Sequence, residues 1–136
     1  MRSQALIDTG AILALLDASE PAHGACTAAL AETNLPLVST AAVLAEVFHF
    51  VRTHRLAAAW RSLRSGTIRV EPIVDGDLPD LERLMLKYAD TPMDFADATL
   101  VRLAEREGLT TILTVDRDFE VYRIGGRKTF RVLPKR

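Results

Sequence analysis

Cysteine is nearly absent: Cys26 is the one thiol in 136 residues. A single thiol excludes an intrachain disulfide, and nothing near it has the spacing of a zinc knuckle. A reducing cytoplasm is the expected compartment, with Cys26 a small, half-buried apolar residue. Long apolar runs are missing too. Ala11 to Leu16 is typical of those present, whereas a bilayer-spanning helix needs about 20 apolar residues. No signal-peptide pattern is visible, because Arg2 is followed by a short run that soon meets Asp8. Glycine-rich phosphate loops, dinucleotide fingerprints and serine-nucleophile motifs are all missing. His23, His49 and His54 do not stand at metal-ligand spacing from one another.

Apolar residues make up 49% of the chain, enough for a hydrophobic core, and charged residues 26%, ordinary for a soluble protein. The length suits a single domain over 1–136. The net charge of −1 gives no nucleic-acid signal, but the distribution of charge does. No acid lies between Glu46 and Glu71, where Arg52, Arg55, Arg61, Arg64 and Arg69 stand. None follows Glu120 either, while Arg123, Arg127, Lys128, Arg131, Lys135 and Arg136 do. Thirteen of the eighteen acids fall from Glu71 to Glu120. This segregation suits basic rims around an acidic pocket, and equally a solvated helix face with a charged tail.

Gln4 to Ile7 reads as a first strand, ending at Asp8, and Ala11 to Leu16 as helix. Pro21 opens an alanine-rich helix over Ala22 to Glu32. Leu35 to Ser39 is a second short strand. Ser39-Thr40 then caps a helix on which Leu44, Val47, Phe48 and Val51 repeat with helical spacing. Leu56 to Leu63 reads as helix, stopped by Ser65-Gly66, and Ile68 to Ile73 as β. The next helix runs from Asp77 to Tyr88, with Leu78, Leu81, Leu84 and Met85 on one side. Pro92 breaks the chain, Asp94 starts a helix to about Glu107, and Gly108 is its left-handed C-terminal residue. Thr110 to Val115 is a β-branched strand ending at Asp116, and Phe130 to Leu133 a last strand. Strands alternating with helices predict an α/β fold, a parallel sheet with helices on both faces.

The acids take informative places in this order. Asp8 and Asp116 each end a strand, and active sites of open α/β sheets form outside the carboxyl ends of the strands. Glu46 lies about two turns into its helix amid Val43, Leu44, Val47 and Phe50, so it either snorkels to solvent or points into a polar site. Asp94 and Asp97 open one helix three residues apart, on one side of it. Capping accounts for Asp94, while Asp97 can serve both the helix dipole and chemistry. Four carboxylates in one pocket repel and raise one another's pKa values unless a cation neutralises them. All-oxygen ligands select hard divalent ions such as magnesium or manganese, which can activate water and stabilise charge on a phosphoryl group.

Four segments carry a family resemblance: Leu6-Ile7-Asp8-Thr9, Val43-Leu44-Ala45-Glu46-Val47, Asp97-Ala98-Thr99-Leu100, and Leu113-Thr114-Val115-Asp116-Arg117-Asp118-Phe119. In order, spacing and context the chain resembles the PIN-domain nucleases, and among them the VapC-type toxins of bacterial toxin–antitoxin pairs, over nearly its whole length. The resemblance implies a three-layer α/β/α sandwich with a mainly parallel sheet, a Mg2+ or Mn2+ site, and endonucleolytic cleavage of single-stranded or loop RNA. It assigns the four catalytic acids to Asp8, Glu46, Asp97 and Asp116. Asp8 and Asp97 are expected as direct metal ligands, with Glu46 and Asp116 binding a second metal or positioning water. Thr114 is expected to orient Asp116 or a ligand water, and Asp94 and Asp118 to support the site. Gly10 departs from the family, many of whose members carry a serine or similar polar residue there.

The expected partners are an RNA substrate, held by Arg52, Arg55 and the C-terminal basic cluster, a small antitoxin, and a second copy in a homodimer. Leu44, Phe48, Phe50 and Trp60 are candidates for the antitoxin groove or for plain core. Trp60, beside Arg61, is also a candidate for a dimer interface or for base stacking. The alternative is a catalytically silent PIN fold that holds RNA or protein. A receiver-type phosphoacceptor fits poorly: Thr9-Gly10 follow Asp8 where paired acids are needed, and no lysine lies between Lys87 and Lys128.

Overall fold

The computed structural model describes residues 3–135. Arg2, at the start of the N-terminal run, and Arg136, the last of the C-terminal basic cluster, lie outside the described residues.

The elements follow in chain order as β1 (Ala5–Ile7), α1 (Thr9–Leu16), α2 (His23–Thr33), β2 (Leu37–Ser39), α3 (Ala41–Phe50) and α4 (Leu56–Arg64). β3 (Ile68–Val70), α5 (Leu78–Lys87), α6 (Phe95–Glu107) and β4 (Thr111–Leu113) come next. The chain closes with β5 (Arg123–Ile124), β6 (Lys128–Thr129) and β7 (Arg131–Leu133). Three-residue 3-10 turns at Thr53–Arg55 and Asp75–Asp77, and a four-residue one at Arg117–Glu120, link the helices and strands.

Five strands form one parallel sheet in the order β3-β2-β1-β4-β7. The chain moves outward from β1 to β2 to β3, then returns to β4 on the other side of β1. With right-handed crossovers, that reversal distributes helices over both faces and makes the β1–β4 boundary a topological switch point. β1, β2 and β4 are buried along their whole length, as expected of strands covered on both sides. Leu6, Ile7, Val38, Ile112 and Leu113 fill the layer between the helices, and Leu100, Val101 and Leu103 of α6 pack into it.

The helix starts follow their capping chemistry. Thr40 caps α3, its hydroxyl accepting the Val43 N–H at 3.4 Å, and Asp94 caps α6. Gly108 ends α6 at φ 69°, a conformation that costs glycine little. Three expectations need correction. Leu78 is 53% exposed rather than sharing the buried side of Leu81 and Leu84; as the first residue of α5 it projects past the layer. Cys26 is fully buried, because α2 packs its Cys26 and Ala29 face inward. The third strand stops at Val70, before Pro72, which has no N–H to offer a ladder. The short antiparallel pair of β5 and β6, turning through Gly125 and Gly126, was not anticipated. No helix among the described residues is long and apolar enough to cross a membrane.

Candidate active site

Asp8 follows β1 directly and caps α1. Its Oδ1 accepts the Ala11 N–H at 3.1 Å, and its Oδ2 accepts the Thr114 hydroxyl. Thr114 follows β4, the neighbouring strand, and its own oxygen accepts the Asp116 N–H at 2.9 Å. One buried hydroxyl therefore ties the ends of two adjacent strands together and fixes Asp8 and Asp116 relative to each other. Asp116 in turn accepts the Asp118 N–H at 2.9 Å, capping the turn Arg117–Glu120.

Glu46 and Asp97 arrive from helices. The Thr9 hydroxyl donates to Glu46 Oε1 at 2.6 Å, drawing that side chain toward the start of α1 rather than to solvent. Asp94 Oδ1 accepts the Asp97 N–H at 2.8 Å, and the buried Tyr122 hydroxyl donates to Asp97 Oδ2 at 3.3 Å. α3 and α6 are joined by the Thr40–Thr99 hydroxyl pair at 2.8 Å. Asp8, Glu46, Asp94, Asp97 and Asp116 consequently line one pocket of about 220 Å³, together with Thr9, Gly10 and Val115.

Among the described residues, no basic side chain lines that pocket. Burial pushes Asp8 up to about 6, against the pull of Thr114 and Ala11 and with further push from Asp116 and Glu46. Burial likewise raises Asp97, to about 7, with Asp94 and Asp116 adding to it. Asp118 is raised by burial and by Asp116, and Tyr122 by burial and then by Asp97. The pocket holds negative charge that its own walls do not neutralise.

The family profile for the PIN domain matches residues 5–125. The chain belongs to the PIN domain family. Ribonuclease VapC26 of Mycobacterium tuberculosis (strain ATCC 25618 / H37Rv) is 34% identical over 134 residues, spanning 95% of this chain and 99% of that one. The crystal structure of VapC20 from Mycobacterium tuberculosis, described as a sarcin-ricin loop cleaving toxin, superposes with a TM-score of 0.76 at 20% identity. It covers 87% of this chain and 94% of its own. PAE2754 from Pyrobaculum aerophilum superposes at 0.51 with 23% identity, over 87% of this chain and 84% of that one, and bears on the fold alone.

Within this PIN domain all four acids named from the sequence, and Asp94, come to one pocket. Thr114 sits buried beneath it, and Asp118 stands one turn further along. Arg52 and Arg55 do not join them. Arg55 donates to the Leu16 carbonyl and Arg52 lies 3.7 Å from Asp17, both at the far end of α1. At the glycine of position 10 a Cβ would stand 3.0 Å from Val115 Cγ2, a tight contact that the exposed valine would have to relieve by a few tenths of an ångström. Thr9 and Tyr122 went unrecognised as site residues. Thr9 was visible beside Asp8, whereas Tyr122 had only the faint signal of a hydroxyl in the run Phe119 to Tyr122.

In kind, the all-carboxylate donor set fits a hard divalent cation. Among the described residues, no three His, Cys, Asp or Glu side chains are gathered closely enough to hold one as they stand. Asp8, Glu46 and Asp97 each answer instead to a hydroxyl, from Thr114, Thr9 and Tyr122.

Proposed function

We propose that this protein is a metal-dependent endoribonuclease that cuts single-stranded or loop RNA, and the toxin of a toxin–antitoxin pair. The observation that carries the reading is the shared pocket of Asp8, Glu46, Asp97 and Asp116, with Asp8 buried and the other three half-buried, and without a basic side chain in its lining among the described residues. The name of the 34% identical relative, a ribonuclease, supports the same reading.

Asp8 and Asp97 would hold a magnesium or manganese ion through carboxylate oxygens. When bound, such an ion supplies charge neutralisation and a polarised water. Glu46 and Asp116, in the lining of the same pocket, would orient the attacking water or hold a second ion. Thr114 keeps Asp8 and Asp116 in register. Water adds at phosphorus and the 3′-oxygen leaves, so the products carry a 5′-phosphate and a 3′-hydroxyl. Unpaired RNA suits the site because its bases can splay away from the backbone. The basic side chains, Arg52, Arg55 and the C-terminal cluster, hold phosphates outside the pocket. The half-buried Phe48 and Leu44, and the exposed Phe50 and Trp60, offer an apolar surface to an antitoxin or to a second copy in a homodimer. The setting is the cytoplasm.

A second reading, a silent PIN fold that binds RNA or protein without cutting, is favoured by one observation: the acids are not gathered into coordination as they stand. Incubation with a mixed pool of cellular RNA separates the two. Cleavage with Mg2+ or Mn2+, lost with chelator and lost in Asp97→Asn, is the expected result. Intact RNA under every metal, from folded protein free of any partner, would leave the binding module.

A further inference from the structure

We propose that Tyr122 is a positioning residue for Asp97, holding one carboxylate oxygen so that the other is presented to the pocket. The inference rests on the nuclease reading and deepens it. Tyr122 stands outside the four segments that carry the acids, yet its hydroxyl reaches Asp97 Oδ2 at 3.3 Å from a fully buried ring.

The ring has little freedom. Tyr88 meets it edge-on at 5.1 Å and 67°, and Phe119 at 5.1 Å and 84°. Phe119 is itself braced by Phe130 at 5.7 Å. The backbone beneath is clamped as well. Arg123 Nη1 donates to the carbonyls of Glu120, Val121 and Tyr122, at 2.8, 2.9 and 3.1 Å. The Arg123 N–H donates to the Tyr88 hydroxyl at 3.0 Å. A phenylalanine would fill this aromatic column as well as a tyrosine does. A buried phenol must find a partner or lose the solvation of its hydroxyl, and the partner here is Asp97.

At 3.3 Å the bond is long for O–H···O, so it acts through direction more than strength. The Asp97 side chain leaves α6 in the helix's first turn, and the Tyr122 hydroxyl selects which of its orientations persists. Groups that orient a ligating side chain are worth about 10–100-fold in metal affinity or activity when removed.

Tyr122→Phe deletes one oxygen and keeps the ring. Mn2+ binding to the full chain, followed by the electron paramagnetic resonance of free Mn2+, is expected to weaken about tenfold. Turnover of single-stranded RNA should fall by a similar factor with KM for RNA unchanged, and melting in chelator should stay within a few degrees of the unsubstituted protein. Equal Mn2+ affinity and equal turnover in the two proteins overturn the inference and leave the nuclease reading standing. So does a loss of affinity that comes only with loss of the near-ultraviolet circular dichroism of the aromatic column, since the role would then be structural. Absence of both Mn2+ binding and cleavage in the unsubstituted protein overturns the nuclease reading, and this inference with it.

Discussion

Asp97 carries its charge at a cost. Its carboxyl is raised by burial and by Asp94 and Asp116, to about 7, so near pH 8 the folded chain holds a charge that the unfolded chain carries more easily. An acid whose folded pKa is raised removes stability as pH climbs from its ordinary value through the raised one. Asp97→Asn should therefore melt higher than the unsubstituted protein in chelator near pH 8, by about 1 kcal/mol after discounting for solvent screening. The gain should vanish near pH 4; thermal melts at the two pH values check it. The same substitution abolishes cleavage under the proposed function, a separation of stability from activity that marks a functional site. Thr114 behaves oppositely. Thr114→Val removes the donor to Asp8 and the acceptor of the Asp116 N–H. It should cost about 1–3 kcal/mol in urea titration and most of the cleavage, while Thr114→Ser restores both. At this scale Asp8 and Asp116 were legible from their places at strand ends, whereas Glu46 inside its helix and Asp97 at a helix start had ordinary explanations and were singled out by the family resemblance. Tyr122 was not, because its partner lies 25 residues away and no local spacing links the two.

Among the elements, the pair α5 and α6 is held by a charge cluster that the sequence pattern did not announce. Asp77 is buried at the turn before α5, where its Oδ2 accepts the Val74 N–H at 3.0 Å. Arg102 Nε and Arg106 Nη1, both on α6, donate to it at 2.9 and 2.7 Å. Burial alone would raise Asp77; the Val74 N–H and the two guanidinium groups outweigh it and hold the carboxyl below its ordinary value. A depressed acid contributes stability that is present above the unfolded value and lost as pH falls through the folded one. Acid unfolding followed by circular dichroism should thus show part of its loss below about pH 4, and Asp77→Ala should remove that part. Asp77→Ala should also cost about 1–3 kcal/mol at neutral pH, because Arg102 keeps Asp80 and Glu105, and Arg106 keeps Glu71, Glu107 and the Pro72 carbonyl. Helices were legible from caps and from apolar spacing, which are local. The strands, three residues each in the main sheet, were found only approximately, because tertiary pairing rather than propensity decides where so short a ladder stops. The β5–β6 pair carried a readable signal in Gly125-Gly126, both at positive φ, but strands of two residues give no alternation to read.

Across the whole molecule, the basic runs of the sequence sit at two places, each tied to the far end of a helix that starts at a pocket acid. Arg52 and Arg55 lie at the end of α1 remote from Asp8, about 12 Å along an eight-residue helix. The β5–β6 hairpin is tied to α6 by the Gly125 N–H donating to Glu105 at 3.1 Å. Glu105 is two turns beyond Asp97, again about 12 Å along the helix. The two flanks differ in what holds them. Arg52 and Arg55 are engaged by Asp17 and by the Leu16 carbonyl. Arg127 and Lys128 are exposed on the hairpin, with no ion-pair partner among the described residues. A cation without a partner gives up nothing within the protein when it meets a phosphate, so the hairpin should contribute the larger share of RNA affinity. Single-stranded RNA binding loses about 0.7 in salt-dependence slope for each phosphate contact removed. In an Asp8→Asn background that binds without cutting, Arg127→Ser with Lys128→Ser should flatten the plot of log affinity against log salt by about 1.4. The same pair in the cutting protein should raise KM and leave kcat alone. Arg52→Ala with Arg55→Ala should flatten the slope less and lower the melting temperature, since it also removes contacts to α1. An unchanged slope in the hairpin variant, with a flattened one in the α1 variant, would route the RNA along the other flank.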